Sequence, residues 1–341
     1  MDAPEPEGHP PAGTDGGAEA IAAAERAAMV RSIEADGVFD GDPGWRDAFA
    51  TVPRELFVPY YYEATAAAAG GYERLWGEDP DPERRARWLR GAYADAPLAT
   101  RVRDGELLSS SSQPSLMARM LVALGVQRGE GVLKVLEIGA GPGYNAALMS
   151  HRLGDEHVTT VDLDPDITES ARRHLAAAGR HPAVVTGDGA RGCPGRAPFD
   201  RIIATCALPG IPPDWLGQCR PGARILAPLA TGLLLLTVHD AENAEGRFLH
   251  TPAYFVPLRG GSSRAGDRPR EYDGLPRRAL REDSFRFLLA LAGDSLDPYE
   301  ALALWRRGDR PGRERYGVTV ADGSARAWLD DPAGPDTWPL T

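Results

Sequence analysis

The stretch VLEIGAGPGYN, residues 135–145, decides the fold. Val135 to Ile138 is a short apolar run of strand character. The chain then turns through Gly139, Gly141 and Gly143 into the helical pattern YNAALMSHRL. Glycines at this spacing let a ligand approach the main chain where side chains would block it. A nicotinamide-binding loop requires G-x-G-x-x-G, and Tyr144 stands where its last glycine belongs, so that fingerprint fails. What remains is a strand, a tight glycine turn and a helix N-terminus able to receive an anionic group.

Further runs of the same kind follow: HVTTVDL (157–163), AVVTG (183–187), FDRIIATC (199–206) and ARILAPL (223–229). Helical pieces such as DITESARRHLAAAG separate several of them. Strands alternating with helices predict an α/β fold with a doubly wound, mostly parallel sheet. GLLLLTVHD (232–240) and AYFVPLR (253–259) read as additional strands. Asp162 closes the second run, where such folds place an acid for two ribose hydroxyls, and Asp188 follows the third in VTGDGA, where a carboxylate can accept from an adenine amino group. Either acid alone would suit a solvated turn. At the ends of successive strands, beside the glycine turn, they predict a cofactor site.

The composition narrows the partners. The chain has 341 residues, 43% hydrophobic and 26% charged, enough for one large α/β domain with additions. Its formal charge is −11, and Lys134 is the only lysine among 38 basic residues. An acidic chain without a basic block is a poor match to phosphate backbones, so no nucleic acid partner is expected. No apolar run reaches the length of a membrane span, and the first residues show neither a cationic nor an apolar leader segment. Cys193, Cys206 and Cys219 form no CxxC pair. That pattern argues against a disulfide framework or a metal site and suits a cytoplasmic protein.

The chain divides by composition. Residues 1–20, acidic and rich in Pro and Gly, read as a disordered tail. Residues 21–106 read as a helical region carrying an irregular insertion, and 107–260 as the cofactor-binding core. Residues 261–283 read as a linker and 284–341 as a small α+β appendage, with a hairpin at Asp322-Gly323. The core opens on LLSSSSQPSLMARML (107–121), four serines set directly against a helical pattern.

E-x-G-x-G-x-G at Glu137–Gly143 resembles motif I of the S-adenosylmethionine-dependent methyltransferases. FATVPRELFVP, SSQPSLMARML, VLEIGAGPGYNAAL, TGDGA, PFDRIIATCALPGIPP and RPGARILAPL together resemble the protein-L-isoaspartate O-methyltransferases, over roughly residues 45–260. The resemblance implies a class I, Rossmann-like methyltransferase that binds S-adenosylmethionine and releases S-adenosylhomocysteine. It implies that Glu137, Gly139, Gly141, Gly143, Asp162, Asp188 and Gly189 hold the cofactor. Ser112 would lie beside the transferable methyl as the catalytic hydroxyl, and Ser111, Gln113 and Pro114 would frame the substrate carboxylate. The family's Thr-Ile-Ser is replaced here at its first two positions by Ser110 and Ser111.

The implied chemistry asks little of the protein. A side-chain carboxylate, with a reference pKa of ~4, is ionised at neutral pH and needs no general base. Methylation converts it to an ester whose carbonyl the next peptide nitrogen attacks with loss of methanol, giving a succinimide that water opens to aspartate or isoaspartate. Extra residues between Pro59 and Leu98, with some 80 beyond AYFVPLR, make the chain longer than an ordinary repair enzyme. It looks like the branch that tailors ribosomally made lanthipeptides and graspetides, with an aspartate in a cyclised precursor peptide as substrate. Two alternatives stand beside this: isoaspartyl protein repair, and a catalytically inactive cofactor-binding partner protein.

Overall fold

The computed structural model describes residues 16–64, 72–103, 105–126, 133–260 and 274–340. Residues 1–15 of the expected tail and 261–273 of the expected linker lie outside them. Two compact units emerge. One comprises the described residues up to Val122 with Ala140–Glu156 and Asp166–Val184, the other Ala123–Gly139, His157–Pro165 and the chain from Val185 onward.

The first unit begins with α1 (Gly16–Ala35), which starts inside the segment expected to be tail. Its alanines and Glu19 in the first turn favour helix over coil. Then comes α2 (Pro43–Thr51), whose N-cap Asp42 accepts from the Gly44 N–H. α1 and α2 are helical, as expected of residues 21–106, but after them the structure has an antiparallel sheet. Its strands are β1 (Tyr60–Ala64), β2 (Tyr72–Trp76), β3 (Leu98–Arg103) and β4 (Glu106–Ser111), in the order β2-β1-β3-β4. Among these strands α3 (Pro82–Ala92), capped by Asp81, is helical as its pattern suggests. Each strand spans five or six residues, too few for a two-residue period to stand out. The serine run is therefore mostly strand. It leads directly into α4 (Pro114–Leu124), and the unit also holds α5 (Tyr144–Leu153) and nearly all of α6 (Pro165–Ala177).

The second unit carries a ten-stranded sheet. After β5 (Val135–Ile138) come β6 (Val158–Asp162), β7 (Ala183–Thr186), β8 (Phe199–Ala204) and β9 (Cys219–Leu229). Next are β10 (Gly232–Val238), β11 (Ala244–Pro252), β12 (Tyr316–Ala321), β13 (Ser324–Leu329) and β14 (Thr337–Pro339). The order is β14-β13-β12-β11-β10-β9-β8-β5-β6-β7. Parallel pairing joins β6, β5, β8 and β9, and every pair from β9 to β14 is antiparallel, so the sheet is mixed rather than mostly parallel. The strand order reverses at β5, the place where open α/β sheets bind ligands.

Two expectations change here. AYFVPLR is not a ladder strand: AEGRFLHTP pairs with β10 instead, and within residues 253–259 Pro257 forms an isolated bridge with Ala207. The C-terminal residues form no separate sheet, because β12 pairs with β11. The segment before β12 carries α8 (Arg277–Arg281), α9 (Asp283–Ala292) and α10 (Pro298–Arg307), and α7 (Pro213–Leu216) lies earlier, between β8 and β9. Phe287 of α9 packs at 4.9 Å on Phe248 of β11 and at 5.5 Å on Tyr316 of β12. Trp305, Trp328 and Trp338 are all buried. Fully burying such side chains stabilises by about 1.5–3 kcal/mol each, so the extension shares one core with its sheet. No helix among the described residues is long and apolar enough to cross a membrane.

Candidate active site

Three neighbouring strands of the ten-stranded sheet end together. Glu137 is buried on β5, and the chain leaves that strand through Gly139 at φ +94°. A Cβ on Gly139 would lie 2.6 Å from the Thr205 hydroxyl. That hydroxyl instead donates to the Gly139 carbonyl at 2.7 Å, while the Gly139 N–H donates to Val161 at 2.8 Å. Both the space and the backbone angle therefore demand glycine. Asp162 ends β6, and its Oδ1 accepts from the Asp164 N–H at 3.3 Å and lies 3.5 Å from the Arg259 guanidinium. Asp188 caps a short turn by accepting from the Ala190 N–H at 3.0 Å. Gly189 is buried there, with no room for a Cβ against Ile138 at 2.6 Å.

The segment read from sequence as a strand completes this cluster. Ala207 donates to Val256 and accepts from Leu258, each at 2.8 Å, which carries the chain across the strand ends. Arg259 thereby reaches Asp162, and Gly260 (φ +96°) comes so close to Asp188 that a Cβ would sit 2.7 Å from its Oδ1. Glu137, Gly139, Asp162, Asp188 and Gly189 are thus brought together. Two carboxylates beside a backbone stripped of side chains suit a ligand with vicinal hydroxyls and an exocyclic amine, so the residues fit a nucleoside cofactor.

The rest of the turn belongs to the other unit. Gly141 (φ +49°) packs against β4, where a Cβ would meet the Ser110 carbonyl at 3.3 Å. Gly143 (φ +94°) caps α5, with Ala171 and Leu175 against it. The four serines alternate. Ser109 and Ser111 are buried, Ser109 accepting from Thr100 at 3.0 Å and Ser111 from Arg54 at 3.3 Å. Ser110 and Ser112 are half-buried, and their hydroxyls have no partner among the described residues. Ser111, expected to touch substrate, is turned inward. Gln113 is also engaged: its amide donates to Asp95 at 3.0 Å and to Ser115 at 3.1 Å. Pro114 opens α4, whose Ser115 N–H is held by Asp95 at 2.8 Å.

What fixes this strand end is Arg54, which no sequence signal singled out. Its guanidinium is fully buried and meets no carboxylate among the described residues. It donates to the carbonyls of Ala92 (2.7 Å), Ala94 (3.1 Å), Ala96 (3.3 Å) and Ser112 (3.0 Å), besides the Ser111 hydroxyl. The Tyr144 ring lies 5.8 Å from it. Burial pulls the Arg54 pKa down to about 10, which leaves the group charged at neutral pH. Arg259 and Thr205 were equally invisible, since only the fold brings them to Asp162 and Gly139.

The sequence model for protein-L-isoaspartate(D-aspartate) O-methyltransferase matches residues 84–263, from α3 through the Asp162–Asp188 cluster to just past Gly260. The chain belongs to that family. A protein-L-isoaspartate O-methyltransferase 1 of an Anaeromyxobacter species is 33% identical over 243 residues, 69% of this chain and 96% of that protein. A protein-L-isoaspartate O-methyltransferase of Hyperthermus butylicus is 34% identical over 226 residues, 62% of this chain and 80% of the relative. A solved protein-L-isoaspartate O-methyltransferase aligns with 90% of this chain and all of its own, at TM-score 0.60 and 23% identity, and so shares the fold. The protein is therefore an S-adenosylmethionine-dependent carboxyl methyltransferase. The match begins at residue 84, after β1 and β2.

Proposed function

We propose that this methyltransferase esterifies an aspartyl carboxylate in a cyclised, ribosomally made peptide, and that the ester then closes to a succinimide and opens to isoaspartate. The observation that carries the reading is the packing of Gly141, in the cofactor turn, against the serine strand whose Ser110 and Ser112 hydroxyls have no partner among the described residues. Bound S-adenosylmethionine supplies a methyl group already activated by its sulfonium. Gly139, Gly141 and Gly143 would let it approach the main chain, with Asp162 and Asp188 accepting from its hydroxyl and amino groups. Ser112 would donate to the acceptor carboxylate and hold it in line, a positional role that needs no proton transfer. Arg54 would keep Ser111 and Ser112 in place. Ser111 and Gln113 would support this wall from behind rather than touch the substrate.

The branch assignment is supported by β1, β2 and the C-terminal strands, which add surface that a single carboxylate does not require. A pre-organised ring loses less entropy on docking than a linear chain. Isoaspartyl repair is the second reading, favoured by relatives that carry the isoaspartate name at 33–34% identity. Mass spectrometry of a ring-closed aspartyl peptide and a linear isoaspartyl peptide separates the two. Methyl ester and succinimide on the ring-closed peptide support tailoring. Efficient turnover of the linear peptide alone makes this a repair enzyme.

A further inference from the structure

The four-stranded sheet aligns one residue per strand into a single row. Arg74 of β2 lies opposite Tyr62 of β1, Tyr62 opposite Ala99 of β3, and Ala99 opposite Ser110 of β4. Residues directly opposite each other in antiparallel pairs share a face, so all four project to the same side. None of the four is buried. Tyr60 and Trp76 form the adjacent pair on this face, and Ala64 and Tyr72 the next. The opposite face is the packed one, with Tyr61 and Leu75 fully buried. The hairpin β1–β2 therefore turns an aromatic, half-open surface outward.

Arg74 gives that surface its chemistry. Its guanidinium lies 4.4 Å from the Tyr60 ring centroid and 5.9 Å from that of Trp76. It makes no ion pair among the described residues, and its buried Nε has no hydrogen-bond partner. The neighbouring arginines differ. Arg84 is paired with Asp79 and Glu73, and Arg87 with Glu63 and Glu73. The carboxylates of this hairpin, Glu63 and Glu73, belong to the opposite face. A stacked guanidinium is pre-organised to receive a planar carboxylate through its remaining donors.

We propose that this row is the docking track for the peptide substrate, and that Arg74 receives a second carboxylate of that peptide. The inference rests on the reading that the enzyme methylates a peptide carboxylate beside the serine strand. Opposed residues stand ~4.5–5.5 Å apart, so the three steps from Ser110 to Arg74 span roughly 14–16 Å. An extended peptide rises ~3.3 Å per residue. The acceptor lies beside Ser112, two residues and ~6.6 Å further along the chain, so the diagonal is roughly 15–17 Å and the second acid lies about five residues from the methyl acceptor. Tyr62 and Ala99 floor the track between the two ends.

The test uses the full chain, S-adenosylmethionine and peptide pairs that differ only in Glu or Gln placed five residues before or after the acceptor. Each pair is made both ring-closed aspartyl and linear isoaspartyl. The wild type should show a KM about tenfold lower for Glu than for Gln at one of the two positions, with kcat alike. Arg74→Gln should erase that difference while leaving kcat and S-adenosylhomocysteine affinity unchanged, and unchanged affinity also reports an intact fold. Trp76→Ala should weaken both peptides of a pair. Wild-type turnover of both peptides with an unchanged Glu-to-Gln ratio in Arg74→Gln overturns the track. Failure of the wild type to methylate any of the peptides overturns the underlying function instead, and the track with it.

Discussion

Replacing Arg54 by alanine tests whether one buried cation holds the serine wall. The side chain donates five hydrogen bonds, four to carbonyls and one to the Ser111 hydroxyl. At a net ~1 kcal/mol each, their loss costs about 5 kcal/mol. Removing a charge from the interior returns part of this, since Arg54 is fully buried without a carboxylate among the described residues. The balance is about 2–4 kcal/mol of destabilisation. Arg54→Lys keeps the charge but offers three donors on a compact head in place of a planar fork, so roughly half of that loss should remain. Urea unfolding followed by tryptophan fluorescence measures the stability, and single-turnover methyl transfer on whatever stays folded measures the positioning. Folded Arg54→Lys should transfer methyl at least about tenfold more slowly, because small misplacements of reacting groups are costly. S-adenosylhomocysteine affinity should change less than about twofold. If Arg54→Ala unfolds within ~0.5 kcal/mol of the wild type, the brace described here does not exist.

Four other outcomes follow from the structure. Asp162→Ala should weaken S-adenosylhomocysteine by about 1.5–3 kcal/mol in calorimetry, the range for a charge-assisted acceptor. Arg259→Ala should instead tighten it by at most about fivefold, because the partly exposed pair with Asp162 is worth under ~1 kcal/mol. Ser112→Ala should leave cofactor affinity within about twofold and slow methyl transfer by roughly 10–100-fold. Equal rates would move the orienting hydroxyl to Ser110. The hydrogen bond from Arg313 holds the Asp283 carboxyl below its ordinary range. Its stabilisation is thus complete above the unfolded value near ~4 and is lost as pH falls through the lower folded value. Emission from Trp305 and Trp338 should shift in that acid range, and Asp283→Asn should remove this part of the shift.

The parts of the fold that were legible in sequence are those with local signals. Apolar runs such as VLEI and FDRIIA announce buried strands. Gly139, Gly141 and Gly143 mark a turn closed to other residues, and the acids fall where the alternation puts strand ends. Asp322 and Gly323, both at positive φ, make the expected hairpin turn. The illegible parts depend on partners distant in the chain. YYYEA, LATRVR and the serine run become one sheet only because Tyr62 meets Ala99 and Ala99 meets Ser110. AYFVPLR has strand composition, but AEGRFLHTP has the ladder position beside β10, and the former is left to cross the strand ends. Ser109–Ser112 looked like one motif, and the pleat divides them into an inward and an outward pair. Arg54 lay within FATVPRELFVP without being singled out, because its meaning lies in carbonyls some 40 to 60 residues away.

The mixed sheet has a consequence for how the chain reaches its native state. In its parallel half, Val135 of β5 pairs with Arg201 of β8, far along the chain. In the antiparallel half, Leu229 meets Gly232 directly across the Ala230-Thr231 turn, and Ala321 meets Ser324 across Asp322-Gly323. Loop closure over a few residues costs little entropy, and contacts close in sequence form early. The hairpins β9–β10 and β12–β13 can therefore zip before the cofactor-binding strands have located one another. The C-terminal strands, which add nothing to the glycine turn, would then supply a template edge on which the slower parallel strands assemble. Mutations at Leu234 of β10 or Val318 of β12 should accordingly lower the refolding rate, and those at Ile202 should mainly raise the unfolding rate.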